Sequence, residues 1–176
     1  MKLGEMLVAL TSLARTGWML RGIPHSLAEN VAEHLFVSAI IAYEIAVEAS
    51  RKGLPVSPEK AAAVALVHDL AEALIGDISR RAELAGKEEV EERAYNNLQV
   101  SAEMKALYIE YKKQTLEGSI AKIADNIATY WKARRYIKAG YMEVEDIMIG
   151  SLKTALETAE SRGIREIVEN IVERLE

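Results

Sequence analysis

Apolar residues recur along this 176-residue chain with the spacing of helices, and no segment shows the alternation of a half-buried strand. Only three prolines are present, so long helices can run without interruption. The pattern therefore predicts an all-α fold. We expect its helices at about residues 2–14, 28–51, 58–75, 87–97, 102–113, 119–138, 145–161 and 164–175.

Local signals support several of these helices. Ser57 followed by Pro58 is an N-cap with proline at the first helical position, which favours a helix start. Gly76 is placed to end the same helix. The helices at 87–97 and 102–113 are strongly polar, and we expect them to cover the surface of the core. No internal repeat or long linker divides the chain, so a single domain is predicted.

Composition and charge exclude several classes of protein. The formal net charge is −5, whereas binding a nucleic-acid polymer usually requires a basic surface. No apolar run reaches the roughly 18 residues of a membrane span and no leader pattern opens the chain, so we expect no membrane association and a cytoplasmic location. The chain has no cysteine, which excludes disulfides and thiolate chemistry. Any metal must be bound through nitrogen and oxygen.

His68 and Asp69 lie next to each other in a mostly apolar helical segment, residues 61–75. An unpaired imidazole or carboxylate on the buried face of a helix costs several kcal/mol or shifts its pKa. A divalent cation relieves this cost for both side chains. At about 100° per residue, Glu72 lies roughly 40° from His68 and roughly 60° from Asp69 around the helix, so the three side chains point to one side.

Two further polar residues, His34 and Asp125, interrupt other apolar-periodic helices. With His68 and Asp69 they would form a site of two imidazoles and two carboxylates from three helices. Such ligands suit divalent Mn, Co, Fe, Ni or Zn better than Ca or Mg. Structural alternatives are a core histidine bonded to backbone for His34, a cap or lysine partner for Asp69, and a helical ion pair with Lys122 for Asp125.

Three segments extend this pattern: Arg15-Thr-Gly-Trp18, Val31-Ala-Glu-His34 and His68-Asp-Leu-Ala-Glu-Ala-Leu-Ile-Gly-Asp77. With Asp125 following them, the chain resembles the HD-domain metal-dependent phosphohydrolases, and among these the 5′-nucleotidases that act on deoxyribonucleoside monophosphates. The resemblance covers roughly residues 5–140. It implies one helical-bundle HD domain over residues 1–176, with the metal-site core at about 28–140 and further helices at about 143–176.

The resemblance also implies roles for the site residues. The metal ligands would be His34, His68, Asp69 and Asp125. They would hold one divalent ion (Mn, Co, Zn, Ni or Fe), because two-metal relatives generally use additional histidines and this chain has none after His68. Glu72 would orient the attacking water or protonate the leaving oxygen, its alternative being a surface carboxylate. His25, the remaining histidine, is assigned no ligand role.

The phosphate of the substrate would be bound by an arginine, because a guanidinium matches phosphate oxygens. Arg15 is the first choice, with Arg21, Arg80 or Arg81 as substitutes. These substitutes are retained because Gly17 precedes the tryptophan where some relatives have an arginine.

The sugar would be recognised by Trp18 and Asp77. By resemblance, Trp18 would lie against the sugar and disfavour a 2′ hydroxyl, while Asp77 would accept the 3′ hydroxyl. The structural alternatives are a core plug between the first two helices for Trp18 and an N-cap of a short helix beginning near Ile78 for Asp77.

The leading interpretation is a metal-dependent phosphohydrolase that removes the 5′-phosphate from (deoxy)ribonucleoside monophosphates, with deoxyribonucleotides favoured and a homodimer expected. One alternative is another phosphoester or nucleotide, although the paucity of basic residues near the site disfavours a triphosphate. The other is a non-catalytic, metal-stabilised helical module that dimerises through Trp131, Tyr136, Tyr141 and the C-terminal helices. Glu72 favours the enzyme, since a structural metal site does not need an acid beside its ligands.

Overall fold

The computed structural model describes residues 1–78 and 86–175, and every regular element in these ranges is helical. The ranges contain ten α-helices, a 3-10 turn at Met142–Val144 and, in place of strands, a single antiparallel bridge between Ala14 and Asn30. The helices are α1 (Leu3–Ser12), α2 (Thr16–Met19), α3 (Val31–Arg51), α4 (Pro58–Val67), α5 (Glu72–Ile75), α6 (Lys87–Asn96), α7 (Ala102–Lys113), α8 (Leu116–Lys138), α9 (Glu145–Ser161) and α10 (Arg165–Arg174). The predicted all-α fold is confirmed. Among the described helices, none is both long and apolar enough to cross a membrane.

Side-chain caps explain where the observed helices depart from the predicted boundaries. α7 and α9 begin and end where the sequence predicts. α3 begins at Val31, later than predicted, because the side chain of Asn30 accepts the backbone N–H of Glu33. α8 begins at Leu116, earlier than predicted, because Thr115 provides its cap.

The uninterrupted helix predicted over residues 58–75 is wrong. α4 ends at Val67, and the chain winds more tightly before α5 begins at Glu72. Backbone hydrogen bonds from Leu70 to Val67 (3.3 Å) and from Glu72 to Asp69 (3.0 Å) span three residues, as in a 3-10 helix. Hydrophobic periodicity does not reveal such a short change of winding.

α3, α4 and α8 form the centre of the molecule. Alanine on their facing sides lets the helices approach closely, and isoleucine fills the space between them. The buried residues include Ile41, Ala42, Ile45, Ala46, Ala61, Ala65, Ile120, Ala121, Ile123, Ala124, Ile127 and Ala128. Each buried isoleucine contributes roughly 1.5–3 kcal/mol through removal of apolar surface from water. These helices therefore give stable support to the polar side chains that project from them.

The C-terminal helices complete this same core. α9 packs along α8, and α10 packs against α9 and α3. Ala155, Ala159, Ile167 and Ile171 belong to the buried cluster that contains Ile45. The described helices consequently form a single helical domain.

The connection between α1 and α3 is closed at its base by two backbone hydrogen bonds. The N–H of Arg15 donates to the carbonyl of Glu29 (2.9 Å), and the N–H of Val31 donates to the carbonyl of Leu13 (3.0 Å). α2 lies within the closed loop. The closure places Arg15 and Glu29 beside each other at the start of α3, close to His34.

Candidate metal centre

His34 is fully buried in the first turns of α3, and both of its ring nitrogens contact side chains. Nε2 lies 3.0 Å from Oδ1 of Asp125 on α8. Nδ1 lies 2.9 Å from Nη1 of Arg15. His34 is therefore not the backbone-bonded core histidine that was its structural alternative.

His68 lies at the C-terminal end of α4 with its Nε2 directed at the same place. Its Nδ1–H donates to the carbonyl of Ala65 (2.7 Å), which leaves Nε2 as the ring nitrogen that faces inward. Oδ1 of Asp125 is 3.9 Å from this Nε2, and Oδ2 of Asp69 is 3.1 Å from it. Even so, this buried Nε2 has no partner with hydrogen-bond geometry among the described residues.

His34, His68 and Asp125 converge as a metal site requires. One potential ligand atom from each residue lies within 4.8 Å of the other two, and all three residues are buried. Two imidazole nitrogens and a carboxylate oxygen are suitable donors for a divalent transition metal. With the inward Nε2 of His68, whose proton a metal ion would displace, this donor set fits such an ion.

Asp69 lies at the edge of this group. Its carboxylate contacts His68 and lines the adjoining cavity, and about a quarter of the side chain is exposed (26%). Burial would raise the pKa of Asp69, but the neighbouring His68 outweighs burial and lowers the pKa to about 2. Burial would likewise lower the pKa of His68, whereas Asp69 and Asp125 raise it to about 9. The centre thus carries a concentration of negative charge that favours a cation.

Tyr111 from α7 closes one side of the centre. Its ring stacks on that of His68, and its hydroxyl donates to Oδ2 of Asp125 (3.3 Å). Nζ of Lys122, one helical turn before Asp125, lies 5.4 Å from the centre of the Tyr111 ring. Lys122 therefore borders the centre as a cation over an aromatic face.

A cavity of about 510 Å³ opens from the metal centre. Ligand sites commonly measure about 300–1,000 Å³, so the cavity is large enough for a nucleotide. Its lining includes every predicted site residue except His34: Arg15, Trp18, His68, Asp69, Glu72, Asp77 and Asp125. The expectation that α6 and α7 only cover the surface is incomplete, because Glu88, Glu91, Tyr108, Tyr111 and Lys112 also line this cavity.

Arg15 lies between the cavity and a buried carboxylate. Its Nη1 is 3.4 Å from Oε2 of Glu29 and 3.4 Å from Oγ1 of Thr129, besides its contact with His34. Burial alone would lower the pKa of Arg15, but the nearby carboxylates of Glu29 and Asp125 outweigh burial and raise this pKa above its ordinary value. Arg15 is therefore a permanent cation that is already engaged by an anion.

Trp18 is part of the core and of the cavity wall at once. Its ring meets that of Tyr136 edge-on at 5.2 Å, and only 2% of the residue is exposed. Its indole N–H donates to Oε2 of Glu29 (3.2 Å). Trp18 is thus a core residue, although it packs against Tyr136 of α8 and not between the first two helices as the core-plug alternative had it, and it also borders the cavity.

The remaining predicted substrate residues are held by contacts that the sequence did not reveal. Oδ2 of Asp77 accepts the backbone N–H of Thr16, and the hydroxyl of Thr16 donates to the carbonyl of Asp77 (2.8 Å). Arg21 forms a two-pronged pair with Asp146 at the cavity margin. His25 is exposed on the loop, as expected for a residue without a ligand role.

Arg80 and Arg81, the other substitutes for phosphate binding, lie outside the described residues, as does most of the short helix for which Asp77 was the possible cap.

A family model described as HD domain matches residues 8–168. The chain belongs to the HD-domain family. Curated relatives of this HD domain include the 5′-deoxynucleotidase VV1113 of Vibrio vulnificus, 29% identical over 131 residues that make up 66% of this chain and 66% of that protein. The 5′-deoxynucleotidase HDDC2 of Danio rerio is 29% identical over 137 residues, covering 72% of this chain and 64% of that protein. The matched part thus spans slightly less than two thirds of each relative.

Solved structures resemble the HD domain over nearly its whole length. A conserved hypothetical protein from Pyrococcus furiosus has a TM-score of 0.80 at 35% identity, covering 94% of this chain and 95% of that one. The PH0347 protein from Pyrococcus horikoshii has a TM-score of 0.81 at 28% identity, covering 98% and 97%. An HD-domain phosphohydrolase from Listeria innocua, 22% identical with a TM-score of 0.70 and coverage of 98% and 87%, shares the fold.

Sequence reasoning about this HD domain missed three residues of the site. Glu29 was expected inside the helix predicted over residues 28–51, whereas it lies in the loop before α3, where helix periodicity does not describe its direction. Tyr111 belongs to a polar helix, where an aromatic residue three positions after Tyr108 was the available signal of an inward side. Lys122 was considered only as an ion-pair partner of Asp125.

Proposed function

We propose that this HD domain is a metal-dependent phosphohydrolase that removes the 5′-phosphate from nucleoside monophosphates, with deoxyribonucleotides preferred. The observation that carries the proposal is the inward Nε2 of His68, which has no hydrogen-bond partner in the described part of the chain and lies beside His34 and Asp125 at a cavity of nucleotide size. The similarity to proteins named 5′-deoxynucleotidase supports the choice of substrate.

His34, His68, Asp69 and Asp125 are the proposed ligands of one divalent ion, of the class Mn, Co, Zn, Ni or Fe. When bound, such an ion lowers the pKa of water and polarises a phosphoryl oxygen. Asp69 completes the set from the cavity side, where its carboxylate lies next to His68.

Glu72 is the proposed acid-base residue. It is half-buried, lines the cavity and follows the proposed ligand Asp69 by three residues. In the hydrolysis, the oxygen of water bonds to phosphorus as the bond from phosphorus to the 5′ oxygen breaks, and the leaving oxygen takes up a proton. The Glu72 carboxyl group can accept the proton of the water and return one to the leaving oxygen.

The charge of the phosphate calls for cations, and the cavity wall contains four in the described residues: Arg15, Arg21, Lys112 and Lys122. Arg15 already contacts the carboxylate of Glu29, and Arg21 contacts that of Asp146. Lys112 contacts the carboxylate of Glu88. We assign the phosphate to Arg15, which is nearest to the metal ligands, together with Lys122, whose contact is an aromatic face. One or two cations suit a monophosphate better than a triphosphate.

The sugar is assigned to Trp18 and Asp77. Trp18, which lines the cavity, is assigned to lie against the sugar and disfavour a 2′ hydroxyl. Since Oδ2 of Asp77 is held by the N–H of Thr16, Oδ1 is the oxygen assigned to accept the 3′ hydroxyl.

The homodimer stays a prediction. α3 presents Phe36, Ile40 and Tyr43 to solvent at a spacing of three and four residues, which makes one exposed apolar stripe. Of the surface that the helical-module alternative would use, namely Trp131, Tyr136, Tyr141 and the C-terminal helices, the ring of Tyr136 is buried against Trp18.

The test is phosphate release from deoxyribo- and ribonucleoside 5′-monophosphates by protein that has been stripped with a chelator and reloaded with Mn, Co, Zn, Ni, Fe or Mg. We expect release that depends on the metal and is faster for the deoxy substrates. Metal-loaded protein that releases no phosphate from any of these substrates would contradict the proposal. Equal rates for ribo- and deoxynucleotides would contradict only the sugar preference.

A further inference from the structure

We infer that Glu29 is a positioning residue that fixes the ring of His34 in the form that binds metal and, in doing so, frees Arg15 for the phosphate. The inference rests on the proposed function, because it concerns the same metal centre. The inference goes beyond the proposed function because it assigns a role to Glu29, which would contact neither the metal nor the substrate.

Glu29 is a buried carboxylate, with 1% of the residue exposed, in the closed loop before α3. Its Oε2 accepts the indole N–H of Trp18 (3.2 Å) and an N–H of Arg15 (3.4 Å), and it lies 3.9 Å from Nδ1 of His34. The same oxygen thus adjoins a proposed sugar residue, a proposed phosphate residue and a proposed ligand. A buried carboxylate is costly unless it is paired, and this one is paired with Arg15, which keeps the carboxylate beside the ring of His34.

The contacts of His34 identify which ring nitrogen carries the proton. A guanidinium only donates hydrogen bonds, so Nδ1 accepts from Nη1 of Arg15 at 2.9 Å and has no proton of its own. In the neutral ring, the proton is then on Nε2, from which it is donated to Oδ1 of Asp125 (3.0 Å). In this arrangement His34 cannot offer Nε2 to a metal.

Metal binding through Nε2 requires the proton to move to Nδ1, with no change in the number of protons on the ring. Nδ1–H then needs an acceptor, and Arg15 cannot be one. Oε2 of Glu29, at 3.9 Å, is the acceptor within reach, and a shift of about 1 Å brings it to a normal hydrogen-bond distance. A carboxylate that accepts from the far nitrogen of a ligating histidine fixes the ring and raises its basicity.

The exchange also changes the position of Arg15. Two N–H donors cannot face each other at 2.9 Å, so Nη1 must leave Nδ1 when that nitrogen becomes protonated. Glu29 and Thr129, each 3.4 Å from Nη1 in the present arrangement, are the partners that would keep the guanidinium anchored after this movement. Metal loading therefore turns Arg15 from a partner of His34 into a cation directed at the cavity.

The first test is the histidine tautomer, observed by two-bond ¹H–¹⁵N correlation spectra of protein labelled at its three histidines. Diamagnetic Zn²⁺ is the metal. We expect His34 to carry its proton on Nε2 in metal-free protein and on Nδ1 in Zn²⁺-loaded protein, in which His68 carries its only ring proton on Nδ1. A proton on Nδ1 of His34 already present without metal would overturn the exchange.

The second test is the Zn²⁺ affinity of Glu29→Gln, measured by competition with a chromophoric chelator and so independent of turnover. Replacing an outer partner of a ligating histidine typically weakens metal binding by about 10–100-fold, and we expect a loss in this range. Glu33→Gln is the matched control, because Glu33 is exposed on the same helix and should bind Zn²⁺ like the wild type.

The outcomes separate this inference from the proposed function. Wild-type affinity in folded Glu29→Gln overturns the role of Glu29, whatever the activity of the enzyme. Wild-type protein that binds Zn²⁺ through His34 but releases no phosphate with any of the reloaded metals overturns the proposed function and leaves the role of Glu29 standing. If Glu29→Gln does not fold, the tautomer spectra of the wild-type protein still decide the inference.

Discussion

The ring of Tyr111 stacks on that of His68, with the ring centres 4.9 Å apart and the planes inclined by 30°. The contact joins α7 to the end of α4 at the point where the chain changes its winding. The hydrogen bond from Nδ1 of His68 to the carbonyl of Ala65 already restricts the ring. Stacking on Tyr111 further restricts rotation of the ring toward or away from the metal centre. A helix with a largely polar surface thus contributes directly to the candidate site.

Replacing Tyr111 separates the effect of its ring from that of its hydroxyl. Tyr111→Phe keeps the stacking and loses the hydrogen bond to Asp125, so we expect a loss of about 1–2 kcal/mol in the free energy of unfolding of metal-free protein. Tyr111→Leu loses both contacts and should also weaken Zn²⁺ binding. Denaturant titration and chelator competition measure the two quantities. Equal Zn²⁺ affinity for Leu and Tyr at this position would show that stacking does not orient His68.

Glu72→Gln tests the acid-base assignment. The amide has the same shape but cannot take up or return a proton, so kcat should fall by about 10²–10⁴-fold while bound metal is retained. Single-turnover phosphate release and metal analysis of the same sample measure the two effects. Glu88→Gln is the control, since Glu88 also borders the cavity but is largely exposed. A Glu72→Gln variant with normal kcat would remove Glu72 from the mechanism.

Lys122→Met tests the assignment of the phosphate. The substitution retains the length of the side chain and removes its charge, and we expect KM for a nucleoside monophosphate to rise by about tenfold, the equivalent of one charge-assisted hydrogen bond. Lys112→Met should change KM far less, because Lys112 is paired with Glu88 at 3.6 Å. Steady-state kinetics at saturating metal provide the comparison. The reverse order of effects would assign the phosphate to α7 instead.

Asp77→Asn tests the recognition of the 3′ hydroxyl. With 2′-deoxynucleoside monophosphates we expect KM to rise by about tenfold, through loss of a hydrogen bond to a charged acceptor. A 2′,3′-dideoxynucleoside monophosphate has no hydroxyl at this position, so its KM should be unchanged by the substitution. An equal rise for both substrates would mean that Asp77 acts only by holding Thr16.

Gly118→Ala tests the close contact between α7 and α8. A Cβ at this position would overlap the backbone carbonyl oxygen of Glu110, so one of the two helices must move. We expect a loss of about 1–3 kcal/mol in the free energy of unfolding, the usual cost of overpacking. Gly150→Ala in α9 meets nothing within 4 Å and should instead stabilise the protein by up to about 1 kcal/mol. Thermal unfolding of both variants provides the measurement, and a stable Gly118→Ala would contradict the contact.

The sequence was sufficient to predict the all-α fold and the convergence of His34, His68 and Asp125, because polar residues inside apolar helices must be paired across the core. It was insufficient where a contact depends on how helices cross. Nothing in the periodicity of α7 predicts that Tyr111 meets His68. Glu29 was missed for a related reason, since its position depends on the closure of a loop by backbone hydrogen bonds.

The tight winding after Val67 determines how two carboxylates are arranged. In a 3-10 turn, side chains three residues apart eclipse each other, whereas in an α-helix they diverge by about 60°. The backbone hydrogen bond from Glu72 to Asp69 therefore aligns the proposed acid-base carboxyl above the proposed ligand carboxyl, both facing the cavity. One residue more or fewer between them would swing Glu72 away by about 120°, so the length of this segment should be as constrained as the identity of its residues.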